Sequence, residues 1–134
     1  MFSKNRNKAP SRIDTLVGAD TRIDGDIHFT GGLRVDGSVR GNVTEMETPS
    51  TLVLSENGRI EGAITVSQVV INGVVTGPVQ ATQFIELQTK SRVAGDVSYK
   101  SLEMHTGAVV EGKLIYLGEG AAVPSGSSLL TAED

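Results

Sequence analysis

Cysteine and tryptophan are absent, and aromatic residues make up only 4% of the 134 positions. Without cysteine, disulfides, thiolate zinc sites and thiol nucleophiles all drop out, and nothing argues for an oxidising compartment. Without a supply of large rings the core must be aliphatic. No apolar run approaches the roughly 20 residues that a membrane-spanning helix needs. The N-terminus also lacks the apolar middle segment of a secretion signal, so a cytoplasmic location is expected. Acid is missing from residues 1–12, which carry Lys4, Arg6, Lys8 and Arg12. The remainder then holds eight basic against sixteen acidic side chains. Such an acidic body is a poor nucleic-acid binder, because affinity for phosphate comes from neutralising it with Lys and Arg. Any polyanion contact belongs to the first twelve residues.

What the chain does have is Val, Ile, Thr and 16 glycines, a composition that favours strands over helices. These residues are organised as a repeat. The phrase aliphatic-x-Gly-x-aliphatic recurs at Ile23–Ile27, Val39–Val43, Ile60–Ile64, Val75–Val79, Val93–Val97 and Val110–Leu114, centred on Gly25, Gly41, Gly62, Gly77, Gly95 and Gly112. In three copies the match extends upstream, through Leu52-x-Leu54, Ile85-x-Leu87 and Leu102-x-Met104. Two shorter copies double the glycine phrase around Gly37 and Gly73. The long interval after Gly41 contains Glu47-Thr48-Pro49-Ser50, which reads as an inserted loop. Each copy is two or three short strands separated by corners. The expected fold is therefore all-β: a single β-solenoid of about six coils over residues 13–118, each strand pairing with its equivalent one coil on. Glycine is expected at corners that need positive φ or that leave no room for a Cβ. Residues 1–12 and 119–134 lack the periodicity and are expected to be disordered tails.

Catalytic chemistry finds little support. His28 and His105 both read as solvent-facing strand or corner residues, and no Ser, His and acid grouping is suggested by order or context. Asp24, Asp26 and Asp36 flank corner glycines, but the equivalent positions in later coils include Ala63, Ala94 and Lys113. A calcium ladder would not change to Ala and Lys, so neither a metal nor another cofactor is expected. No glycine-rich phosphate loop ending in Lys-Ser or Lys-Thr is present, so nucleotide is not an expected partner. An acyltransferase-like left-handed hexapeptide solenoid is the competing enzyme reading. Its six-residue register breaks near Gly41 and at Asn72. A monomeric solenoid adaptor is the third reading.

Neither tail shows an amphipathic helical period that would cap the stack. Uncapped solenoid ends carry unpaired backbone groups, and a rod with an interface at each end associates without closing. The expected contact surfaces are Leu102, Met104, Leu114, Ile115, Tyr116 and Leu117 at the C-terminal end and Leu16, Ile23, Ile27 and Phe29 at the N-terminal end. The partner is another copy of the chain. Met1, Phe2, Ser3, Lys4, Arg6 and Lys8 form a basic arm with one ring, suited to an anionic membrane surface.

The stacked glycine phrases, the opening Ile-Asp-Gly-Asp-Ile and Val-Asp-Gly-x-Val-x-Gly-Asn-Val segments, and the Met-Phe-Ser-Lys arm together resemble the bactofilins, a family of bacterial cytoskeletal proteins. The resemblance spans residues 13 to about 118. It implies a right-handed parallel β-helix that polymerises end to end, without nucleotide, into filaments lacking polarity. It also implies attachment to the inner face of the cytoplasmic membrane, through Phe2 and Lys4, and a scaffolding role for cell-wall synthases or hydrolases in cell shape.

Overall fold

The computed structural model describes residues 13–118, and over that span the chain forms sixteen short strands and no helix. Coil one holds β1 (Thr15–Val17), β2 (Arg22–Asp24) and β3 (Ile27–Phe29); coil two holds β4 (Gly32–Val35), β5 (Ser38–Arg40) and β6 (Val43–Glu45). Coil three is made of β7 (Thr51–Leu54), β8 (Arg59–Glu61) and the first half of β9 (Ile64–Ile71). The rest of β9, β10 (Val74–Thr76) and the start of β11 (Val79–Leu87) make coil four. Coil five takes the rest of β11, β12 (Arg92–Ala94) and β13 (Val97–Tyr99), and coil six β14 (Leu102–Met104), β15 (Val109–Glu111) and β16 (Leu114–Tyr116). Equivalent strands of successive coils pair in parallel, giving a three-sided β-solenoid of six coils. Because β9 and β11 run on through the third corner, the first and third faces belong to one ten-stranded sheet, and the second face is a separate six-stranded sheet.

The parallel register stacks like upon like. Ile23, Val39, Ile60, Val75, Val93 and Val110 form one inward column, and Ile27, Val43, Ile64, Val79, Val97 and Leu114 another. The first face contributes the columns headed by Leu33 and Val35. In coils two to five these side chains are buried almost completely. Branched aliphatics suit this arrangement because they match a pleated surface and have little rotamer freedom to lose. The step from one inward residue to the next is four residues across every Gly25-type corner, but four or six across the preceding corner. That mixture is why a strict six-residue register cannot be sustained.

Gly41, Gly62, Gly77, Gly95 and Gly112 lie one above another, and a Cβ on any of them would overlap the carbonyl of the glycine one coil below. Gly25 starts this column and has open space where its Cβ would be, but its φ of 138° still favours glycine. The next residue at this corner has a role that the sequence did not reveal. Asp26 Oδ1 accepts the Asn42 N–H at 2.8 Å, Asn42 Oδ1 accepts the Ala63 N–H at 2.9 Å, and Asp96 Oδ1 accepts the Lys113 N–H at 2.9 Å. Ala63 has no side-chain acceptor, and the residue above it is Pro78, which has no N–H to donate. Asp26 and Asp96 are exposed outside the stack, and each also ties its coil to the next.

The loop between β6 and β7 is the expected insertion, and Glu45 anchors it. Its carboxylate accepts hydrogen bonds from the Ser50 N–H (3.1 Å), the Ser67 N–H (2.9 Å) and the Ser67 hydroxyl (2.7 Å). The Ser50 hydroxyl donates to the Glu47 carbonyl and accepts the Gly31 N–H. Ser50 and Ser67 are buried, so these bonds satisfy groups that would otherwise be costly in an aliphatic stack.

Candidate polymerisation surface

At the C-terminal end the core columns stop without a cover among the described residues. Met104, Leu114 and Tyr116 are 43%, 44% and 62% exposed, although each occupies a column position that is buried or half-buried one coil below. Leu102 and Val110 pack partly against the core. Strands β14, β15 and β16 each pair on one side only, with β11, β12 and β13. The outer edge of coil six therefore presents backbone groups without a strand partner among the described residues, in register with exposed aliphatic side chains. Such an edge is a template for another coil. The Tyr99 and Tyr116 rings lie 5.9 Å apart, tilted by 49°, and the Leu117 N–H donates to the Tyr99 carbonyl at 2.6 Å, which pins the chain as it leaves the last strand.

The N-terminal end differs. Strands β1, β2 and β3 are likewise paired on one side only, and Ile23 and Ile27 are half-buried. Phe29 and Val17, however, are only 5% exposed. Charge is concentrated here: the exposed Arg22 and Asp24 pair at 3.1 Å, Asp20 is exposed, and Asp14 Oδ2 accepts the Gly32 N–H at 2.9 Å.

The structure does not bring all the residues expected at the ends into the end columns. Leu16 lies in register with Arg34, and Ile115 with Ser98, so both point out of a face rather than into the stack. Phe29 is enclosed rather than displayed. Leu102, Met104, Leu114 and Tyr116 do converge on one surface, with Leu117 beside them. The arm residues Met1, Phe2, Ser3, Lys4, Arg6 and Lys8 lie outside the described residues, as do residues 119–134. No helix among the described residues is long and apolar enough to cross a membrane.

Sequence reasoning missed one cluster. His105 Nε2 lies 3.0 Å from Glu86 Oε2 and 3.1 Å from Glu103 Oε2. The signal was present in the aligned phrases Ile85-Glu86-Leu87 and Leu102-Glu103-Met104, which place the two acids in register on adjacent coils.

The family model described as bactofilin, polymer-forming cytoskeletal, matches residues 15–115. Bactofilin BacO of Myxococcus xanthus is 32% identical over 101 residues, covering 75% of this chain and 78% of its own length. Bactofilin BacP of the same organism is 30% identical over 115 residues, covering 85% of this chain but 47% of that longer relative. No solved structure matches the chain. A stack of six glycine-cornered coils, matched over most of its length by a polymer-forming family with no enzymatic role, places this chain among the bactofilins.

Proposed function

We propose that this chain builds cytoskeletal filaments by end-to-end stacking of its terminal coils, without nucleotide, and that Leu102, Met104, Leu114 and Tyr116 form the C-terminal contact. The observation carrying this reading is the exposure of Met104, Leu114 and Tyr116 on strand edges paired on one side only. Completing their burial contributes about 1 kcal/mol each, and each backbone hydrogen bond gained across the junction about 1 kcal/mol more. The family resemblance implies filaments without polarity, and these require junctions between like ends related by a two-fold axis, which is the arrangement we favour. Alternating junctions of this kind make a filament without polarity.

The arm Met1–Lys8 attaches the filament to the inner face of the cytoplasmic membrane. Each of Lys4, Arg6 and Lys8 contributes about 1 kcal/mol at an anionic surface, and insertion of Phe2 adds roughly 1.5–3 kcal/mol. One arm is a weak anchor, whereas many arms along a polymer are an avid one. On the membrane the filament serves as a scaffold that localises cell-wall synthases or hydrolases for cell shape, as the family resemblance implies.

The test is Leu114→Arg or Tyr116→Arg, each placing a charge on the terminal surface. Sedimentable polymer should disappear while circular dichroism remains rich in β-structure. Unchanged pelleting of both variants would overturn the assigned surface.

A further inference from the structure

The outward column of the first face ends in two acids on adjacent coils, Glu86 and Glu103, directly in register. Like charges opposite one another on neighbouring strands destabilise a sheet. Here both carboxylates nevertheless turn toward a single nitrogen, His105 Nε2, at 3.0 and 3.1 Å, and the three donor atoms all lie within 4.8 Å of one another. That nitrogen carries at most one proton, which cannot make a well-directed bond to both oxygens at once. A divalent cation can satisfy all three. In a tetrahedral zinc site with bonds of about 2.0–2.2 Å, donors are separated by roughly 3.3 Å; the two imidazole–carboxylate distances are already close to this, and the gap between the two carboxylate oxygens, at most 4.8 Å, closes by rotation of Glu103, whose side chain is exposed. The backbone supports the arrangement: the His105 N–H donates to the Leu87 carbonyl at 2.9 Å, and Gln88 Nε2 donates to Glu86 Oε2 at 3.2 Å.

We propose that Glu86, Glu103 and His105 bind one divalent transition cation of the zinc class, which staples coil six to coil five. One imidazole nitrogen and two carboxylates suit zinc and its neighbours better than calcium or magnesium, which take all-oxygen sites. Water fills the fourth position. The ion neutralises the paired acids and holds in place the coil on which the proposed filament contact is built, although the site itself does not depend on polymerisation.

Equilibrium dialysis of the full chain against zinc chloride at neutral pH, followed by metal analysis, tests the site and works on polymer and monomer alike. One zinc per chain is expected, with affinity falling about tenfold or more in His105→Ala and in Glu86→Gln and unchanged in His28→Ala. Hydrogen exchange should slow at Leu102–Met104 and Val109–Glu111 when zinc is added to the wild type, and should not respond in His105→Ala. Absence of zinc uptake, or equal uptake by wild type and His105→Ala, would overturn the proposal and leave His105 as a hydrogen-bonding neighbour of the two acids.

Discussion

Gly25 and Gly77 make a controlled experiment that the fold itself supplies. Their φ angles are nearly the same, 138° and 141°, so an alanine at either position bears a similar backbone strain of about 1–3 kcal/mol. What differs is the space. A Cβ on Gly25 meets nothing within 4 Å, whereas one on Gly77 overlaps the carbonyl of Gly62, whose carbon would be 2.7 Å away. Neither group is a flexible side chain that could swing aside, so the two coils must part locally. Parting strains the Gly62 N–H bond to the Thr76 carbonyl (2.9 Å) and the Ile64 N–H bond to the Pro78 carbonyl (3.0 Å), each worth about 1 kcal/mol. Overpacking of this kind costs about 1–3 kcal/mol in its own right. Gly77→Ala should therefore lose about 2–4 kcal/mol more than Gly25→Ala, a large share of the roughly 5–15 kcal/mol that holds a domain together. Urea unfolding followed by circular dichroism, at one fixed chain concentration because assembly adds to apparent stability, measures the difference. Equal losses in the two variants would refute the stacking explanation and leave backbone conformation as the sole reason for glycine at these corners.

Glu45→Ala should destabilise the chain by about 2–4 kcal/mol, because it leaves the Ser67 N–H and hydroxyl buried without their acceptor; the same unfolding assay checks it. Asn42→Ala removes only the acceptor of the Ala63 N–H at an exposed corner and should cost about 1 kcal/mol or less. Deleting residues 2–8 should release the protein from vesicles containing anionic lipid while filaments remain in electron micrographs, and retention on the vesicles would locate membrane binding elsewhere in the chain.

The coils were legible in the sequence because each one solves the same packing problem with the same residues. Ile23, Val39 and Ile60 recur in phase, and Gly25, Gly41 and Gly62 mark the corner between them. The number of strands per coil was less visible. In β9 and β11 the third strand of one coil runs into the first of the next without a turn signal, with Val66-Ser67-Gln68 carrying the chain round the corner. Side-chain direction at the ends was also lost. Leu16 and Ile115 look like core residues in composition, and only their register with Arg34 and Ser98 shows that they face outward. The corner ladder from Asp26 to Ala63 and the meeting of Glu86, Glu103 and His105 depend on contacts 16 to 21 residues apart. Such contacts become visible only once the exact length of every coil is known, and those lengths vary at two of the three corners.

Sedimentation velocity of the purified 134-residue chain in nucleotide-free buffer, across a range of concentrations, bears most directly on the claim that coil one and coil six are left open for another copy. Large polymers that form without ATP or GTP and vanish in Tyr116→Arg are the predicted result. A single small species at every concentration would contradict it.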